Sequence, residues 1–167
     1  IVSISYSQDI SGKLGTGGKF IIRDTNSIFL TLNQSNGTLS FSEPAGGNLS
    51  GSIFKGSSRF LHTYFANSTT GFNTFLGVES GNFTMTGTGL ESSANTGTGY
   101  QTLTSLTTGS HNSAFGLQSL FSNTTGSFNC SFGAGTMVYN TSGKFNAAYG
   151  NLSMTFNTTG DSNSAYG

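Results

Sequence analysis

Asn112-Ser-Ala-Phe-Gly116, Asn129-Cys-Ser-Phe-Gly133, Asn146-Ala-Ala-Tyr-Gly150 and Asn163-Ser-Ala-Tyr-Gly167 are variants of one pentapeptide, set seventeen residues apart. The same step carries back to Asn95 and Gly99. A second glycine column keeps it at Gly109, Gly126, Gly143 and Gly160, and a large apolar column at Leu103, Leu120, Met137 and Met154. Self-similarity at a fixed short period marks a solenoid, in which each repeat buries its core only against its neighbours.

The columns decide between helix and strand. A helix needs apolar residues three and four apart, and each interior glycine costs it about 1 kcal/mol. Two glycines and a Thr-Thr pair per unit would dismantle it. As a β-coil, each glycine marks a corner where the backbone takes φ > 0 or is closely approached. Gly99, Gly116, Gly133 and Gly150 are the expected corners, with short strands over Asn112–Gly116 and Leu117–Phe121. Successive coils then pair in parallel, roughly 4.8 Å apart. Like stacks on like, so Asn95, Asn112, Asn129, Asn146 and Asn163 are expected to form an inner amide ladder. The column at 114, 131, 148 and 165 is Ala, Ser, Ala and Ala, which leaves a thin interior or a face where chains meet. Three coils side by side would bury more than one, which favours a homotrimer.

Upstream the texture changes. Ile1–Ser7 alternates as a strand does, Lys19–Arg23 and Ser27–Leu32 are β-branched and aromatic, and Thr38–Phe41 alternates again. Asn36-Gly37 between the last two is a turn signal, and Glu43-Pro-Ala-Gly-Gly47 reads as a break. The expected organisation is a β-rich segment over 1–66, a meander of short strands, and a solenoid over 67–167. The repeats start irregularly near Ser68 and become strict from Asn95. The fold class is therefore all-β.

Charged residues make up 7% of the 167-residue chain, against about 25% in an ordinary soluble domain. Six basic and six acidic residues cancel, so nothing resembles the basic patch that nucleic-acid binding requires. No apolar run approaches the roughly twenty residues of a bilayer span. The chain opens at Ile1 and closes on a repeat boundary, as expected for a piece of something longer. Its only cysteine, Cys130, sits in a column of small residues and is expected to be a small buried side chain.

Gly109-Ser-His-Asn-Ser-Ala-Phe-Gly116, with Leu117-Gln-Ser-Leu120 and Asn123-Thr-Thr-Gly126 after it, resembles the repeats of phage tail-fibre and bacterial adhesin-like proteins, which run approximately N-T-A-x-G-x-x-A-L-x-x-N-T-T-G. Asn73-Thr-Phe-Leu-Gly77 and Gly81-Asn-Phe-Thr-Met-Thr-Gly87 resemble the lead-in of such arrays, so the resemblance covers about 57–167. It is also similar to the heads of trimeric autotransporter adhesins, a parallel β-roll with a shorter repeat. The resemblance implies a homotrimeric stalk or head on a virion or cell surface.

Catalytic constellations are absent from the sequence. His62 and His111 are the only histidines, and the column of His111 otherwise holds Phe128, Phe145 and Ser162. Asp9, Asp24, Glu43, Glu79, Glu91 and Asp161 are scattered, without the pairing that acid–base chemistry uses. No spacing suggests zinc or calcium, and no cofactor is expected. Gly15-Thr-Gly-Gly-Lys19 lacks the Ser or Thr of a phosphate loop, because Phe20 follows.

Asn-x-Ser/Thr occurs at Asn33, Asn36, Asn48, Asn67, Asn82, Asn123, Asn129, Asn140, Asn151 and Asn157. Asn123, Asn140 and Asn157 fall in expected turns and are the candidates for N-glycosylation, whereas Asn129 belongs to the inner ladder. The pairs Thr107-Thr108, Thr124-Thr125 and Thr158-Thr159 stack as well, but the glycine after each places them at a bend rather than on a flat water-ordering face.

The sequence thus predicts a structural fibre, stalk or filament segment, extracellular or on a virion surface and not an enzyme. It partners itself as a homotrimer, with end-to-end polymerisation as an extension. An adhesin module that binds a host glycan or receptor through exposed Tyr, Phe and Asn side chains is the alternative.

Overall fold

A computed structural model of the chain describes residues 19–23, 28–33, 38–41, 53–55, 57–66 and 68–167. It is all-β, with no helix among the described residues. Strands β1 (Lys19–Arg23), β2 (Ile28–Asn33) and β3 (Thr38–Phe41) form an antiparallel sheet in the order β1-β2-β3. That is the meander expected from the alternating runs, with β2 starting one residue later than its sequence pattern suggests. The strand expected at Ile1–Ser7, the glycine turn at Gly15–Gly18 and the break at Glu43–Gly47 lie outside the described residues.

A second sheet of eight strands carries the repeats. β4 (Ile53–Lys55), β5 (Ser58–His62) and β6 (Thr74–Leu76) pair antiparallel in succession. From β6 onward every pairing is parallel, through β7 (Thr96–Thr98), β8 (Ser113–Phe115), β9 (Cys130–Phe132), β10 (Ala147–Tyr149) and β11 (Ser164–Tyr166). Partners from β7 to β11 are seventeen residues apart, as in Ala114↔Ser131 and Ala148↔Ala165. The result is a β-solenoid of 17-residue coils, opened by a longer first coil and an antiparallel hairpin. Because β4 and β5 extend the solenoid's own sheet, Ile53–His62 belong with the repeats rather than with the segment before residue 67.

One coil shows how the motif is used. After β8, Gly116 turns the chain at φ 121°, and Gln118 and Leu120 turn it twice more at 54° and 53°. Thr124-Thr125-Gly126 leads back, and Phe128, at φ 59°, makes the last corner before Asn129. Leu117–Phe121, expected as a strand, is therefore a run of left-handed corners. Its backbone is still paired, but to the adjacent coils: Gln118 N–H donates to Tyr100 O at 2.9 Å and Leu120 N–H to Thr136 O at 3.1 Å.

The interior closes within a single chain. Phe75, Met85, Leu103, Leu106, Ala114, Leu120, Met137 and Ala148 form one buried cluster, with Tyr64 and Met154 packed on it. The Ala-Ser-Ala column is inside, because Ala114, Ser131 and Ala148 are fully buried. Its small volume reflects a thin coil, so a shared axis between chains is not needed to explain it. Buried large side chains contribute about 1.5–3 kcal/mol each, which is why Leu and Met recur once per coil.

Candidate functional site

The inner surface is built from amides. In each coil the Asn N–H and Nδ2 both donate to Oδ1 of the Asn one coil earlier: Asn112 to Asn95 at 3.0 and 3.0 Å, Asn129 to Asn112 at 3.0 and 3.1 Å, Asn146 to Asn129 at 3.0 and 3.1 Å. Asn163 continues the series onto Asn146, and Asn95 starts it on Asn73. The second Nδ2 proton reaches a glycine carbonyl on the next coil, as from Asn112 to Gly126 O at 2.9 Å and from Asn129 to Gly143 O at 2.8 Å. Buried polar atoms must be paired to be tolerated, and this arrangement pairs both protons and the oxygen.

A second ladder runs beside the first, and it corrects the expectation for the sequons. Asn140 Nδ2 donates to Asn123 Oδ1 at 2.9 Å, and Asn157 Nδ2 to Asn140 Oδ1 at 3.0 Å. Asn123 and Asn140 are fully buried and Asn157 is half-buried. These residues do sit where the chain bends, but the bend points their amides inward. One glycine carbonyl then joins both ladders, since Gly143 O accepts from Asn129 and Asn140, and Gly126 O from Asn112 and Asn123. A usable signal was present in the sequence: the same phase one coil earlier holds Leu106, a residue that belongs inside.

The glycines divide into two kinds. Gly99, Gly116, Gly133 and Gly150 hold φ between 109° and 140°, and a Cβ on any of them would fall within 2.7 Å of the next coil's glycine oxygen. Gly109, Gly126, Gly143 and Gly160 are not in the left-handed region. They are glycine because a side chain there would strike a ladder amide or the next coil's carbonyl.

The outer surface is built from rings. His111, Phe128 and Phe145 stack at 4.7 and 5.0 Å, and Phe115, Phe132, Tyr149 and Tyr166 at 4.5, 5.5 and 5.3 Å. Tyr139 stacks on Phe156 at 5.7 Å. All these pairs lie within 13° of parallel. Each ring inside a stack therefore turns its faces to its neighbours and offers only an edge to solvent. From Ser92 to Gly167 the only charged side chains are Lys144 and Asp161, and Asp161 Oδ1 accepts the Lys144 N–H at 2.6 Å.

Cys130 lies on this outer face, half-exposed, with Sγ 3.3 Å from the Tyr149 hydroxyl. This corrects the expectation of a buried thiol: in β9 the central Ser131 points inward and Cys130 beside it points outward. The hydrogen bond to Cys130, and then the charge a Cys130 thiolate would carry, raise the Tyr149 hydroxyl above the ordinary tyrosine value.

Both histidines pack against aromatic rings. His62 is buried between Phe75 and Phe83, with Nε2 2.6 Å from Ser80 O and Nδ1 accepting the Tyr64 N–H at 3.3 Å. His111 is a member of a ring ladder. Glu79 accepts from Gln101 Nε2 at 2.7 Å and Glu91 from Thr88 N–H at 2.8 Å, each carboxylate engaged locally. No group of three or more His, Cys, Asp and Glu side chains converges among the described residues. Asp9, Asp24 and Glu43 lie outside them.

Comparison with protein-family descriptions, with curated proteins and with solved structures yields no match to this chain.

Proposed function

We propose that the chain is a structural segment of a fibre or filament displayed outside a cell or on a virion, where it acts as a stiff spacer and associates with further copies as a homotrimer. The observation that carries this reading is the unbroken register of the ladders. Two inner amide columns and the outer ring columns repeat coil after coil, so bending the rod would stretch all of them together. The resemblance of the repeats to tail-fibre and adhesin arrays supports the same conclusion.

Ladder geometry also weighs on the alternative, a module that recognises a host glycan. Sugar rings pack on the faces of aromatic side chains, and the faces of Phe128, Phe132 and Tyr149 are covered by their neighbours. Exposed ring edges and a surface almost without charge fit a side-by-side neighbour of the same chemistry better. Association of copies is tested by the native mass from light scattering combined with small-angle scattering. A rod at three times the chain mass is the expected outcome, and a monomer would remove the trimer. A saturable signal on a glycan array, lost on replacing Tyr166 or Phe156, would favour the recognition reading instead.

A further inference from the structure

Three Asn-x-Ser/Thr sequences are folded to the inside: Asn123-Thr-Thr125, Asn129-Cys-Ser131 and Asn140-Thr-Ser142. We propose that the solenoid forms only on a chain that has not met an asparagine-linked oligosaccharyl transferase, so that these three sequences confine its synthesis to compartments without that enzyme.

The chemistry follows from one atom. Transfer joins the asparagine Nδ2 to the anomeric carbon of a lipid-pyrophosphate-linked oligosaccharide. The carbon–oxygen bond to the pyrophosphate breaks, the pyrophosphate leaves with the electron pair, and Nδ2 gives up one of its two protons. In the folded solenoid both protons of Asn129 Nδ2 are engaged, by Asn112 Oδ1 at 3.1 Å and Gly143 O at 2.8 Å. Both protons of Asn140 Nδ2 are engaged too, by Asn123 Oδ1 at 2.9 Å and Gly143 O at 3.1 Å. Asn123 Nδ2 donates to Gly126 O at 2.9 Å. All three side chains are 0–1% exposed. A glycan is bulky and water-seeking, and it can neither enter this interior nor leave Nδ2 with two hydrogen bonds to give.

The transferase reads an extended chain, so the sequence is offered before burial can protect it. A sugar attached at that stage would hold a coil open, and a solenoid coil that fails to close leaves its neighbour without a stacking partner. Asn151-Leu-Ser153 provides the internal contrast, because the Asn151 side chain is exposed. A sugar there is compatible with the fold.

The test compares the chain made in the cytosol with the chain sent through the endoplasmic reticulum of a glycosylating host. A second chain carries Thr125→Ala, Ser131→Ala and Ser142→Ala, which abolish the three acceptor sequences and keep every ladder asparagine. Ser131 shares its column with Ala114 and Ala148, so alanine fits there by size; the bonds of its hydroxyl with Ser119 Oγ and Thr136 O are lost, while Ser119 Oγ keeps its bond to Ser131 O. Folded material is isolated by limited proteolysis, and glycan occupancy is read site by site from its peptides.

The expected result is that both chains fold in the cytosol. In the endoplasmic reticulum, folded parent is depleted and carries no sugar at Asn123, Asn129 or Asn140, while the triple variant restores the folded yield several-fold. Folded parent bearing sugar at any of the three sites would overturn the proposal. So would a parent that escapes transfer there and folds in full yield. A triple variant that folds in the cytosol but not in the endoplasmic reticulum would place the failure elsewhere and overturn it too.

Discussion

Leu103, Leu120, Met137 and Met154 hold φ between 51° and 53°, a region that costs an L-residue about 1–2 kcal/mol. The coil accepts this because the turn aims each side chain into the core, where burial returns about 1.5–3 kcal/mol. Leu120→Ala should therefore cost about 2–5 kcal/mol, whereas Leu117→Ala, on the exposed side of the same turn, should move the denaturant midpoint little. Asn129→Ala removes its own two Nδ2 bonds and strands the N–H and Nδ2 of Asn146, with about 1–3 kcal/mol lost for each buried group left unmade. Chemical denaturation checks both, and an unchanged Asn129→Ala midpoint would sink the ladder as a source of stability. Gly133→Val joins a φ of 140° to a Cβ that would lie 2.5 Å from Gly150 O, and should not yield folded protein. Gly89→Ala is the control. Its φ is 60° but nothing lies within 4 Å, so only the backbone cost of about 1 kcal/mol remains.

At the level of the element, the Thr-Thr-Gly turn works as a socket. Thr107 N–H, Thr108 N–H and Gly109 N–H converge on Thr124 O at 2.9, 3.2 and 3.1 Å, and the Thr107 hydroxyl joins them at 2.9 Å. The next coil repeats this on Thr141 O. Thr107 and Thr124 thus face the next coil and are not free to order water. Tyr149 offers a pH-dependent test of how coils touch on the outside. Because its folded value is raised, it contributes stability at pH values below the unfolded tyrosine value of about 10, and that contribution is lost as pH rises through the folded value. Spectrophotometric titration of Cys130→Ala should bring this tyrosine back toward its ordinary value, and Tyr149→Phe should remove its share of the alkaline destabilisation. Much of this was legible from spacing alone: the coil length, the first amide ladder, the corner glycines and the meander all follow from period and alternation. The second ladder was legible only in part: Leu106 in the same phase marks an inward position, but Asn-Thr-Thr-Gly is turn chemistry in either orientation and tertiary closure decides which way the amide points. Left-handed leucine was not legible, since local propensity argues against it and the cost is met only by burial.

For the whole molecule, scarcity of charge sets the response to solvent. Surface ion pairs are screened by salt, and beyond Ser92 there is little to screen, so the melting temperature should be nearly flat from low to high concentrations of sodium chloride. Hydrophobic burial and amide pairing hold the rod, and urea should act on both. The antiparallel hairpin β4–β5 ends the parallel series on one side, and His62 anchors it by packing on Phe75 inside the first coil.

Because every coil donates to the one before it through the same nitrogens and accepts from the one after it through the same oxygen, any coil can follow any other. The molecule is in that respect a ruler with graduations. Removing residues 113–129 should leave a folded protein shorter by one graduation of about 4.8 Å, whereas removing Ser113 alone would throw each later column onto the wrong neighbour. Length in such a protein changes by whole units, and scattering measurements on the two deletions would read the graduation directly.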